Sequence, residues 1–149
     1  MIIIKSLREI EIMAKAGELT AQAHGIVKEA ISPGISTREL DRLVEEFLRK
    51  NGAIPAFKGY GGFPASICTS VNNQVVHGIP SSDVILQPGD ILSVDIGTIF
   101  DGYVGDAAAT YPVGDISPES EKLLAVTARA LMEGIERAVE GNRLSDISA

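Results

Sequence analysis

The sequence predicts an α/β (α+β) domain that combines helices with strands, two of them paired in an antiparallel hairpin. Three observations predict it. Two stretches of helical periodicity, each opened by a Ser-x-x-Glu signal, fill the first 50 residues. From Ile54 to Val113 that period vanishes, and Gly, Pro and β-branched residues dominate. Inside this stretch Asp101-Gly102 separates two β-rich runs, a two-residue hairpin signal.

The first helix opens at Ser6-Leu7-Arg8-Glu9, a capping box, and Ile10, Met13, Ala14, Gly17 and Ala21 recur along it at helical spacing. It ends before Ser32-Pro33-Gly34, which cannot continue a helix. Ser36-Thr37-Arg38-Glu39 opens the second, with Leu40, Leu43, Val44, Phe47 and Leu48 as its apolar stripe and Asn51-Gly52 as its C-terminal cap. Strands are expected over 66–70, 74–77, 90–99 and 103–111. Ser117-Pro118-Glu119 starts a third helix, with Pro at its first position. Leu123, Leu124, Val126, Leu131, Ile135 and Val139 line it, and Gly141-Asn142 ends it. Ser145 then reads as the N-cap of one more helix.

Bulk properties narrow the function. A chain of 149 residues suffices for a single domain, 1–149, with 45% hydrophobic and 22% charged residues. Its net charge of −7 and its lack of a Lys/Arg cluster argue against nucleic-acid binding. An acidic protein attracts divalent metals and cationic amines instead. The single cysteine, Cys68, excludes an intrachain disulfide and fits a reducing compartment. The apolar start Met1-Ile2-Ile3-Ile4-Lys5 is too short for a signal peptide, and no run approaches the ~18 apolar residues of a membrane span. The expected setting is cytoplasmic, with no membrane and no nucleic-acid partner.

The hairpin carries the chemistry. With Asp101-Gly102 as its loop, Phe100 faces Tyr103, Gly97 faces Asp106 and Asp95 faces Ala108. Asp95 and Asp106 then become diagonal neighbours on one face, roughly 7–8 Å apart at the backbone. A three-residue loop or a bulge would place them on opposite faces. Their face also carries Ser93, Gly97, Val104, Ala108 and Thr110, mostly small or polar, and reads as a pocket wall. The other face, with Leu92, Val94, Ile96, Ala107, Ala109 and Tyr111, reads as core. Two adjacent carboxylates repel unless a cation neutralises them, and such oxygen ligands suit hard or borderline divalent ions. Aspartates in strand-rich regions are otherwise turn or solvent-facing residues.

The stretch from Gly62 to Asn72 (GFPASICTSVN) leads to Val75-Val76-His77-Gly78-Ile79-Pro80, then Val94-Asp95-Ile96-Gly97 and Asp101-Gly102-Tyr103-Val104-Gly105-Asp106. With Ser36-Thr37-Arg38-Glu39-Leu40-Asp41 and Ile4-Lys5-Ser6, these motifs resemble the type I methionine aminopeptidases over essentially the whole chain. The resemblance implies half to two-thirds of a pita-bread (creatinase/aminopeptidase) fold, with a curved antiparallel sheet covered by helices. It implies a hydrolase that removes the N-terminal methionine of nascent peptides whose second residue is small. Two divalent metal ions (Mn, Fe, Co or Zn) would serve it. Asp95 would chelate one ion and Asp106 would bridge both. His77 would be the catalytic and substrate-binding histidine. Phe57, Tyr60, Phe63 and Cys68 would line the methionine pocket. Asn73 stands where that family commonly has Glu, and takes no role.

The lone His24 reads as structural or exposed, and Cys68 as a buried pocket residue rather than a nucleophile. The glycines of Lys58-Gly59-Tyr60-Gly61-Gly62 read as a tight loop at the pocket rim, since no strand-turn-helix surrounds them.

The resembled proteins run to roughly 250 residues. A histidine and two glutamates that complete their metal site, and a second substrate-contacting histidine, have no counterpart here. The expectation is an incomplete site, with no catalysis by the isolated chain. A truncated chain, assembly with a complementary chain, and a homodimer facing two Asp95–Asp106 pairs are the alternatives. A non-catalytic half-domain is the other functional class.

Overall fold

The computed structural model describes residues 3–149; the reading of Met1 and Ile2 as part of a short apolar start lies outside them. The chain divides into two compact units, Met1–Asp115 and Ile116–Ala149.

In the first unit, α1 spans Leu7–Ala30. Ser6 Oγ accepts from Glu9 N–H, and the Glu9 carboxylate accepts from Ser6 N–H at 2.7 Å, so the capping box forms as expected. The buried face is not the expected one. Ala16, Leu19, Thr20, Ala23 and Val27 are buried, whereas Ile10 and Met13 are exposed. Small residues decide this: a Cβ on Gly105 would lie 2.6 Å from the carbonyl carbon and oxygen of Ala16. Glycine facing alanine lets helix and strand backbones meet directly.

Helix α2, Thr37–Lys50, buries Leu40, Val44 and Leu48 as the stripe predicts, together with Thr37 and Asp41. Ser36 Oγ accepts from Glu39 N–H, but the Glu39 carboxylate pairs with Arg42. Gly52, at φ +73°, follows the Asn51 cap.

The sheet contains β1 (Ile54–Pro55), β2 (Ile67–Val71), β3 (Ile91–Phe100) and β4 (Tyr103–Pro112). All pairings are antiparallel: β3 carries β1 and β2, and also pairs with β4. Sequence reading missed β1, a two-residue strand too short to show a period. It also placed a strand over 74–77 that does not form. The chain reverses at Asn72, φ +52°, and His77 adopts φ +60°, and neither belongs to an extended run. The β3–β4 register is the expected one, with Phe100 opposite Tyr103, Gly97 opposite Asp106 and Asp95 opposite Ala108. Asp101 and Gly102 both take positive φ, as a two-residue type I′ loop requires. Leu92, Val94 and Ile96 are fully buried in a core shared with Leu19, Val27, Leu40, Val44 and Leu48. Ala107, expected among the core residues, is exposed.

In the second unit, α3 (Pro118–Arg137) starts at Ser117, whose Oγ accepts from Ser120 N–H. It stops at Ala138, short of the expected Gly141-Asn142. Leu123, Val126, Leu131 and Ile135 on it are exposed. The expected terminal helix is a 3-10 turn over Leu144–Ile147 with Arg143, not Ser145, at the cap position. Among the described residues no helix is long and apolar enough to cross a membrane.

Candidate active site

Helix α2 sets one side of the site. Asp41 Oδ1 accepts from the backbone N–H groups of Ser66 (2.7 Å) and Ile67 (3.1 Å), which fixes the start of β2. Burial pushes the Asp41 carboxyl above its ordinary value, and those two N–H donors work against that rise. Glu45 accepts from Lys58 Nζ at 2.6 Å and anchors the loop that follows β1. In that loop Gly59, Gly61 and Gly62 have positive φ, conformations that side chains rarely adopt.

A cavity of about 530 Å³ opens between this loop, β2, β3 and the segment after β2, and is lined in part by Phe57, Tyr60, Phe63, Cys68, His77 and Asp95. The five residues the resemblance assigned to substrate therefore share one cavity with one of the two predicted metal aspartates. Gly61, Gly62, Pro64 and Ile79 complete the lining. Gly61 and Gly62 were expected at the pocket rim, whereas Pro64 and Ile79 carried no signal in the sequence beyond their place in the family motif. Cys68 is buried and pairs directly with Asp95 across β2–β3. Its thiol is pushed up to about 11, first by burial and then by the charges of Asp95 and Asp106, which makes it a poor nucleophile. Gly97 keeps the wall flat: a Cβ there would lie 2.6 Å from Phe57 Cε1.

Asp106 is not part of the cavity lining. It lies on the same face of the hairpin as Asp95, one diagonal step away, and is exposed. Asp95 Oδ1 is buried with no hydrogen-bond partner among the described residues. Burial first, and the Asp106 charge second, raise the Asp95 carboxyl above its ordinary 3.8. An unpaired buried carboxylate oxygen with a second carboxylate beside it is what a divalent cation relieves, so the two aspartates fit as metal donors. They are an incomplete set: no group of three or more His, Cys, Asp or Glu side chains that could hold an ion occurs among the described residues.

His24, in α1, lies outside this site. One ring nitrogen is 2.9 Å from Tyr111 Oη and the other 2.9 Å from the Ala107 carbonyl, so it ties α1 to β4.

The chain belongs to metallopeptidase family M24, whose model matches residues 11–149. It is 55% identical over 148 residues to the methionine aminopeptidase of Clostridium acetobutylicum and to methionine aminopeptidase 1 of Bacillus subtilis, covering 99% of this chain and 59% of each relative. Among solved structures, methionine aminopeptidase from Thermotoga maritima superposes with a TM-score of 0.95 at 43% identity, covering 99% of this chain and 59% of that one. A prolidase from Pyrococcus furiosus gives 0.85 at 28% identity, covering 97% and 41%. The expected part of a pita-bread fold is therefore present, and the chain spans about 59% of the length of these methionine aminopeptidases.

Proposed function

We propose that this chain carries the methionine pocket and two of the metal-ligating carboxylates of a methionine aminopeptidase, which removes N-terminal methionine from nascent polypeptides in the cytoplasm. The observation that carries the reading is the gathering of Phe57, Tyr60, Phe63, Cys68 and His77 with Asp95 around one cavity. An unbranched thioether suits such a wall, because aromatic edges and a thiol contact sulfur favourably and present few competing hydrogen-bond partners.

Asp95 and Asp106 would hold the divalent ions of this family, as two donors of a set that the described residues do not complete. When bound, the ions supply Lewis acidity and an acidified water near neutral pH. The chain's own residues do the rest of the work on this side. The aromatic wall excludes water and seats the methionine side chain. His77 presents its imidazole to the scissile amide and steadies it. By family resemblance the general base would be a glutamate, a role given to no residue of this chain.

The test is methionine release from a tripeptide with Met first and Ala second, by a protein carrying this sequence in a full-length chain. Mn, Co and Fe are supplied in turn. Release is expected in the parent and lost in Asp95→Asn and Asp106→Asn; undiminished release by either variant overturns the assignment.

A further inference from the structure

Gly78 is buried although both its neighbours, His77 and Ile79, are exposed and line the cavity. Its N–H donates to Ser70 Oγ at 3.1 Å, and its carbonyl accepts from Thr69 N–H at 2.8 Å. A Cβ on residue 78 would lie 2.0 Å from the Thr69 carbonyl oxygen, so only glycine can approach β2 so closely. Among the described residues, these two bonds at Gly78 are the hydrogen bonds that hold residues 75–80. Val75 and Val76, just before, are 85% and 63% exposed and contribute little packing.

His77 itself takes φ +60°. A non-glycine residue stays in the left-handed region only where its surroundings over-determine it. The constraint here comes from one peptide unit on: the 77–78 amide is the group that Ser70 grips.

We infer that Ser70 is a positioning residue, whose hydroxyl, by holding the Gly78 amide, keeps His77 left-handed and turns the His77 imidazole and the Ile79 side chain toward the cavity. Ser70 is absent from the cavity lining and is itself buried. Removing its oxygen strands a buried N–H, which forces the segment to seek another partner. Thr69 alone then holds the segment by a single bond, about which it can swing.

The geometric part of this inference stands without the functional reading; its consequence for ligand binding rests on that reading. The experiment therefore uses both kinds of readout on the full chain labelled with ¹⁵N and ¹³C. In the parent, the Gly78 amide is expected to be protected from hydrogen exchange. Exchange at the unprotected rate overturns the inference without any variant. In Ser70→Ala, Gly78 exchange should quicken by about tenfold or more, and the His77 ring resonance should shift. Ser70→Thr, which keeps the hydroxyl, should restore both. An unmoved His77 resonance in Ser70→Ala reduces Ser70 to a structural residue and overturns the proposal. In a parallel titration with free L-methionine, a parent that binds and a Ser70→Ala chain that binds about tenfold more weakly support it. Equal affinities overturn it. A parent that fails to bind L-methionine counts against the methionine pocket, while the His77 resonance still decides the positioning role.

Discussion

The Phe57 ring edge packs against the bare backbone of Gly97: a Cβ at position 97 would lie only 2.6 Å from Phe57 Cε1. Gly97 also pairs directly with Asp106. Gly97→Ala should therefore push the aromatic wall away from the carboxylates and cost roughly 1–3 kcal/mol through overpacking. Thermal unfolding measures the cost, and L-methionine titration reads the disturbed pocket. An unchanged melting temperature together with unchanged affinity contradicts the packing described.

Asp41 should behave as a structural acid. Asp41→Ala leaves the buried N–H groups of Ser66 and Ile67 without their acceptor and should cost about 2–4 kcal/mol, read by urea unfolding. Asp41→Asn keeps an acceptor oxygen and should cost less. Because burial raises this carboxyl above its ordinary 3.8, its protonated form favours folding. That contribution is complete below pH 3.8 and is lost as pH rises through the folded value. Asp41→Asn should flatten this segment of the stability profile.

Glu9 has the opposite sign. The Ser6 backbone and hydroxyl, with the Tyr103 hydroxyl, hold its carboxyl down to about 2. Its contribution is present above the ordinary 4.5 and is lost as pH falls toward 2. In Glu9→Gln, unfolding followed from pH 5 to pH 2 should show a shallower acid loss than in the parent.

Cys68 should be inert. With its thiol pushed up to about 11, it should resist a disulfide reagent at pH 8 in the native chain and react fully in denaturant. Rapid native modification would mean that the cavity does not shield it.

The isolated 149-residue chain should release no methionine with Mn, Co or Fe. Two carboxylates fall short of the four to six ligands that each such ion takes. Sedimentation equilibrium with and without Mn should show the same monomer; a metal-dependent dimer would instead support completion of the site by a second copy.

Much of this was legible in the sequence because it depends on local rules. Asp101-Gly102 dictates the loop, the loop dictates the register, and the register puts Asp95 and Asp106 on one face. What the residues alone did not give depends on packing between distant segments. The α1 stripe through Ile10 and Met13 has the right period but the wrong face, since the choice lies with Gly105, nearly ninety residues away. The strand over 74–77 failed for a related reason. Val75 and Val76 have strand character, yet the Gly78 contact with β2 bends the chain at His77. The pocket residues came from the family motif, because no periodicity links Phe57 to His77.

The meeting of Ala16 with Gly105 has a further consequence. Helix α1 rests on β4 with no side chain between their backbones at that point, so the distance from helix to strand has no cushion. A methyl group added at position 105 cannot be absorbed by a rotamer change. It would act as a wedge that tilts the strand as a body, and Asp106, the next residue, would move with it. The alignment of the carboxylate pair is in this sense set from the back of the sheet, by the absence of a single carbon atom.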